Sequence, residues 1–157
     1  MHAEIISVSI EAIDELLEEN YRIAVGTTSL RTLESLYWIG VKLFNKDKEP
    51  FIIEKLYPYS DFEIIISWNE SLEQIKKYLT DTHQRILAAQ TAIMIMPGYN
   101  FRSVKALITN FHHPKTTLIM LVAAFIGDDW KKVYQSAIEN NYRFLSYGDS
   151  SLLYLNE

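Results

Sequence analysis

Two stretches of this 157-residue chain place reactive residue types where a fold could aim them. The first is Val25-Gly26-Thr27-Thr28-Ser29-Leu30-Arg31. It reads as a strand end, a glycine turn and a helix start. Free amides and the dipole at a helix N-terminus favour an anion. Thr27, Thr28 and Ser29 add hydroxyl donors, Arg31 adds charge, and Gly26 lets a ligand approach the backbone closely. The plain alternative is a strand-to-helix turn with a Thr or Ser cap. The stretch is not a P-loop, because it lacks the second glycine and the Lys-Ser/Thr pair.

The second stretch runs from Thr109 through Asn110, Phe111, His112, His113, Pro114 and Lys115 to Thr116 and Thr117. A polar loop between a buried strand and a buried helix is a usual place for a site in α/β sheets. Asn110 offers a donor and an acceptor, His112 a group titrating near neutrality, and Lys115 a point charge. The alternative gives Asn110 to a turn, His112 to packing and Lys115 to solvent. The adjacent histidines lack metal spacing, since neighbours on an extended chain point opposite ways. A third stretch, Tyr142 to Asp149, interleaves aromatic and basic residues before a Gly148-Asp149 turn. It suits either a wall for a base or anion, or a half-buried strand. Pro97 to Arg102 reads as a turn with exposed aromatics, and Met1 to Glu4 as a fraying end. No Gly-x-Ser-x-Gly, HExxH or dinucleotide-binding glycine pattern occurs.

Elements must hold these loops. Residues 9–20 predict an amphipathic helix, with Ile10, Ile13, Leu16 and Leu17 on one face and Ser9 as N-cap. Arg22 to Val25 predicts a strand. A helix follows from the Gly26–Ser29 turn, so residues 9–40 form an α/β unit. Phe51–Leu56 and the β-branched Phe62–Ser67 predict strands. Leu72, Ile75 and Leu79 stripe a helix ending near Thr82. Ala92–Met96 and Val104–Ile108 predict strands, with Pro97-Gly98 stopping the first. Thr117–Ile126 is apolar all round, as a buried helix is, and Gly127 ends it. A helix follows to about Asn140, then a last strand over Ser151–Leu155.

Composition bounds the class. The chain is 48% hydrophobic and 22% charged, with net charge −5 and no cysteine. That profile is globular, and it excludes a disulfide scaffold, a thiolate zinc site and a cysteine nucleophile. No apolar run reaches the roughly 18 residues of a membrane span, and the N-terminus lacks a signal-peptide pattern. The acidic balance at first argues against nucleic acid. Six of the 20 acids, however, fall in the first 20 residues. Between Asp81 and Asp128 no acid occurs, whereas Arg85, Arg102, Lys105 and Lys115 do.

VGTTSLRTLES, then MPGYNFRSVKALITNFHHPKTTLIMLVAAF, then YRFLSYGDSSLLY resemble, in that order, the queuosine-pathway S-adenosylmethionine:tRNA ribosyltransferase-isomerases (QueA). The opening MHAE resembles the family's MHSE-like segment. The resemblance covers roughly residues 1–36 and 93–155, leaving 40–92 as a divergent insertion. Family members are about twice as long, so the chain resembles their C-terminal part. The N-terminal half and a small β-barrel domain are absent.

The resemblance implies a single α/β domain over 1–157, part of the main domain of those enzymes, with a mixed sheet and flanking helices. It implies a cytoplasmic enzyme that uses S-adenosylmethionine as ribosyl donor, with no metal. The ribosyl moiety is transferred and isomerised onto the 7-aminomethyl-7-deazaguanine wobble base of tRNA, adenine and methionine leave, and epoxyqueuosine results. Its partners are then tRNA and the missing N-terminal half, without which the 157 residues are expected to be inactive. The sulfonium acidifies the adjacent ribose carbon, so a positioned base is required. Carried over, His112, His2 and Asn110 are the catalytic candidates. His113 stands where the family commonly has Leu. Gly26, Thr27, Thr28, Ser29, Arg31, Thr109, Tyr147 and Asp149 would bind substrate, and Arg102, Lys105 and Lys115 would contact RNA. The alternative is a non-catalytic RNA-binding or small-molecule-binding α/β domain derived from that family.

Overall fold

The computed structural model of the protein describes residues 3–62 and 64–155, with the side chain of Tyr147 also outside the description. The chain forms two compact units. One comprises residues up to Asn20 together with Thr32–Ile93, and the other Tyr21–Arg31 together with residues from Met94 onward.

The first unit is built on a three-stranded mixed sheet. Its central strand, β4 (Ile86–Thr91), pairs antiparallel with β1 (Glu4–Ser9) and parallel with the two-residue β3 (Ile52–Ile53). Along β4 burial alternates strictly, so Leu87, Ala89 and Thr91 face the core. Helix α1 (Ile10–Glu18) starts where expected, because Ser9 Oγ accepts the Ala12 N–H at 3.2 Å. It packs on α3 (Trp68–Asp81), and Ile13, Leu72, Ile75 and Leu79 are fully buried. A reciprocal capping box opens α3. Glu70 N–H donates to Ser67 Oγ at 3.2 Å, and Ser67 N–H donates to Glu70 Oε2 at 2.7 Å. Helix α2 spans Thr27–Phe44, longer than predicted, and buries Leu36, Tyr37, Ile39 and Val41 in this unit. Gly40 lets α3 come close: a Cβ there would lie 2.1 Å from Ser71 Oγ and 2.3 Å from Ser71 O.

Two strand expectations fail here and a third holds only in part. Of residues 51–56, only Ile52–Ile53 join a ladder. Phe62 and Ile64–Ser67 find no partner strand, and Ile64 and Ile65 are exposed. The strand expected at Ala92–Met96 ends at Thr91 instead, since the ladder uses ILAAQT. β1 was not anticipated.

The second unit carries the other mixed sheet, in the order β2–β5–β6. β2 (Ile23–Val25) runs parallel to β5 (Ala106–Asn110), and β6 (Ser150–Tyr154) antiparallel to it. Ala24, Leu107 and Leu153 share one buried face, and helix α4 (Thr117–Ile126) packs beside β6. Thr116 caps α4 by accepting the Ile119 N–H, and Gly127 ends it at φ 59°. Helix α5 (Asp129–Glu139) packs on α4 and buries Tyr134 and Ala137. The α/β expectation therefore holds, realised as two mixed sheets with flanking helices, and the described residues form no closed barrel.

Candidate functional site

Register brings the candidate segments together. Parallel pairing sets Val25 beside Ile108, so both chains leave the sheet at the same end. Gly26, at φ 90°, donates its N–H to Ile108 O at 2.8 Å and turns the chain into α2. A Cβ on Gly26 would meet nothing within 4 Å, so this turn is open to an approaching ligand. Thr27, Thr28 and Ser29 form the first turn of α2, where backbone amides lack intrahelical acceptors. Arg31 is only 4% exposed, and is therefore part of the packed interior. β6 enters from the same end, with Ser150 opposite Asn110 and Asp149 just before it. Segments from three distant parts of the sequence thus meet at the carboxyl end of the β2–β5 pair. In open α/β sheets, ligands bind at that end.

His112 lies in the loop leaving β5 and is 8% exposed, while His113 is exposed. Its Nε2 lies 2.9 Å from the buried Thr109 Oγ1. Its backbone N–H donates to Tyr134 Oη at 3.0 Å. Burial holds the imidazole below its ordinary pKa, so it is neutral at physiological pH. Among the described residues Nδ1 has no hydrogen-bond partner. Phe111 fixes this loop in an aromatic cluster, with ring centroids 5.6 Å from Tyr134, 5.6 Å from Tyr142 and 5.5 Å from Phe144.

Asn110 belongs to a second group. Its Nδ2 donates to Asp149 O at 3.1 Å. The Asp149 carboxylate takes a two-pronged contact from Arg143, with Nε–Oδ2 at 2.9 Å and Nη2–Oδ1 at 3.1 Å, and also accepts the Arg143 N–H. These bonds from Arg143 lower the Asp149 pKa, so the carboxylate is an ionised brace for the turn rather than a base. Among the described residues no hydrogen bond joins Asn110 to His112. Lys115 (φ 63°) and Leu145 (φ 62°) hold left-handed backbone in the loops at this end. That conformation is costly for side-chain-bearing residues and clusters at functional sites.

The basic candidates divide. Lys115 is exposed in the loop between β5 and α4. Lys105 precedes β5 and donates its N–H to Arg22 O, at the opposite end of the sheet. Arg102 lines a 390 Å³ groove with Tyr99, Phe101 and Leu155, also at that far end. The separation along β5 is roughly 16 Å. His2 lies outside the described residues, and for Tyr147 only its place in the Leu145–Tyr147 turn is described. Arg143 lies in the third stretch that the sequence marks, whereas Tyr134 lies outside all of them. Tyr134 sits in an ordinary amphipathic helix, and only the tertiary fold shows its hydroxyl meeting His112. Among the described residues no group of acids and histidines is placed to hold a metal, and no helix is long and apolar enough to cross a membrane.

The fold and this end of the sheet define an α/β protein with converging loops at the carboxyl end of a parallel strand pair, carrying an uncharged histidine and an open helix N-terminus. The sequence model of the queuosine biosynthesis protein family matches residues 1–153, which include 40–92, and the chain belongs to that family. It is 38% identical to an S-adenosylmethionine:tRNA ribosyltransferase-isomerase from Buchnera aphidicola subsp. Schizaphis graminum, over 99% of this chain and 34% of that protein. It is 40% identical to one from Mesorhizobium japonicum, over 100% of this chain and 34% of that protein. The crystal structure of S-adenosylmethionine tRNA ribosyltransferase from Thermotoga maritima matches with a TM-score of 0.60 at 31% identity, covering 94% of this chain and 39% of that one. The chain thus spans about a third of the length of the curated relatives it matches, less than the half that the resemblance leads one to expect.

Proposed function

We propose that the chain supplies one part of a tRNA-modifying enzyme that transfers and isomerises the ribosyl moiety of S-adenosylmethionine onto the 7-aminomethyl-7-deazaguanine wobble base, giving epoxyqueuosine. The observation that carries this is the meeting of the three family-like segments, Gly26–Ser29, Thr109–His112 and Tyr147–Asp149, at one end of the β2–β5–β6 sheet. A neutral imidazole suits the demand for a base beside the sulfonium. His112 takes the proton at Nδ1, while Thr109 and Tyr134 fix the ring and the loop. The α2 N-terminus and the Thr27–Ser29 hydroxyls hold an anionic or hydroxyl-bearing part of the substrate. Asn110, braced through Asp149 and Arg143, hydrogen-bonds the substrate. Lys115 meets phosphate near the reacting base, and Arg102 and Lys105 meet it farther along the tRNA.

A second reading is a non-catalytic RNA-binding module, to which the exposed Lys105 and Lys115 at the two ends of β5 would equally belong. One experiment separates the two. The chain is combined with the portion of the Mesorhizobium relative that it does not match, and adenine release from S-adenosylmethionine is measured with tRNA carrying the aminomethyl base. Release above that of either part alone supports the enzyme. Binding of tRNA without release supports the module.

A further inference from the structure

A cavity of about 480 Å³ lies beside β6 in the second unit. One wall is the run Ser150, Ser151, Leu152 and Leu153. Successive side chains point to opposite faces of a sheet, so such a run lines a cavity only along the edge of its strand. The order β2–β5–β6 leaves that edge unpaired among the described residues. Pairing shows which groups it presents. Ile108 O accepts the Gly26 N–H from the β2 side, so Ile108 turns its peptide groups away from β6. Leu152, opposite Ile108 in the antiparallel ladder, then turns its own N–H and C=O to the free edge. Among the described residues no backbone bond outside the ladder engages them. The facing wall comes from α5, through Ser136 and Ala137. Phe111, Ala137 and Leu153 are nearly fully buried and make an apolar floor. Tyr142, half exposed, adds an aromatic ring 5.6 Å from that of Phe111. No carboxylate lines the cavity. Ser150 lies opposite Asn110, so the cavity adjoins the candidate site.

These parts suit a flat heteroaromatic ring. The apolar floor and the aromatic residues take its faces, as in the capture of unstacked bases. The N–H and C=O of one residue, side by side, take an edge that carries an acceptor next to a donor. The volume lies within the range of small-ligand sites, roughly 300–1,000 Å³. A phosphate or a bare sugar would leave the apolar floor unused. An added peptide strand needs an uncovered edge, and here α5 faces it. We infer that the cavity holds a purine-type base by its Watson–Crick edge, read by the Leu152 N–H and C=O. The inference deepens the proposed reaction and rests on it for the source of the base. Two bases of this chemistry take part in that reaction, the adenine of S-adenosylmethionine and the 7-deazaguanine of tRNA. Both place a donor beside an acceptor on that edge.

The test titrates the isotope-labelled 157-residue chain with adenosine and, separately, with 7-aminomethyl-7-deazaguanine, following backbone amides by NMR. At least one of the two should shift the Leu152 amide saturably, and the one that does identifies the source. Its N1-methylated form, with the Watson–Crick edge blocked, should bind at least about tenfold more weakly. Leu152→Pro deletes an N–H that bonds nothing within the sheet, on an edge strand where proline is tolerated. It should weaken binding at least about tenfold. Ser136→Trp fills the cavity from an exposed position and carries the same expectation, which decides the matter if circular dichroism shows the proline variant unfolded. Ile138→Lys, at a 60%-exposed position outside the cavity lining, should leave binding intact. The inference is overturned if neither base shifts the Leu152 amide, or if the folded cavity variants bind as the parent does. A base held in the cavity, with no adenine released in the combined assay, upholds the cavity and refutes the reaction. Adenine release that the cavity variants leave unchanged refutes the cavity alone.

Discussion

At the residue scale the site turns on how His112 is held. Its imidazole is nearly excluded from water, and its pKa is lowered by that burial. The unfolded chain therefore takes up a proton at a higher pH than the folded chain does. Stability is full above the unfolded histidine value of about 6.5 and falls as pH drops toward the folded one. Thermal melts between pH 7.5 and 5 should show this loss, and His112→Gln should show a shallower one. In the assembled enzyme, His112→Ala should cut adenine release at least about tenfold, the low end for general acid–base catalysis. An unchanged rate would remove His112 from the chemistry. Tyr134→Phe leaves the buried His112 N–H without its acceptor, at a cost of about 1–3 kcal/mol in urea unfolding. Sequence alone places His112 and Thr109 in one loop, because polar residues between two apolar runs stand out. It does not reveal Tyr134, which lies 22 residues on and meets the loop only through tertiary packing. Nor does it show that Arg143 neutralises Asp149, because residue type is silent on who pairs with whom.

At the element scale, helices were more legible than strands, and the reason is local. The boundaries of α1 and α4 are written in adjacent residues, Ser9 and Thr116 with Gly127, whereas the Ser67–Glu70 box that opens α3 lies where a strand is expected. A strand exists only where a partner lies beside it. The Ile64–Ile66 run has strong β propensity and no neighbouring strand, so propensity alone misleads. β4 is modest in sequence, yet it is central because β1 and β3 flank it. The same reasoning predicts where helix changes will be felt. Ser67→Ala removes half of the α3 capping box and should cost about 1 kcal/mol. Gly40→Ala should cost more, about 2–3 kcal/mol. The new methyl would strike Ser71 backbone as well as side chain, and backbone cannot rotate aside. Chemical denaturation of the two variants checks the order. A Gly40→Ala protein as stable as the parent would mean that α2 and α3 separate easily.

At the scale of the whole molecule, charge is distributed rather than balanced. The net −5 owes much to the acids of the first 20 residues, around α1. The acid-free window from 82 to 127 includes β5 and the loops at both its ends. Exposed Lys115 lies at the site end and exposed Lys105 at the other, roughly 16 Å away along the strand. An extended phosphate backbone is long enough to meet both, whereas a small anionic substrate is not. If tRNA lies along this sheet, each lysine displaces about one counterion, and each should contribute separately to the salt dependence. In the assembled enzyme, Lys105→Ala and Lys115→Ala should each lower the slope of log K for tRNA against log salt by about one, and together by about two. Binding of S-adenosylmethionine should be unaffected by Lys105→Ala, because that residue is remote from the converging loops. An unchanged tRNA slope in Lys105→Ala would confine the RNA footprint to the site end. An unchanged slope in both variants would place the tRNA on other surfaces of the enzyme and leave Lys115 to the substrate alone.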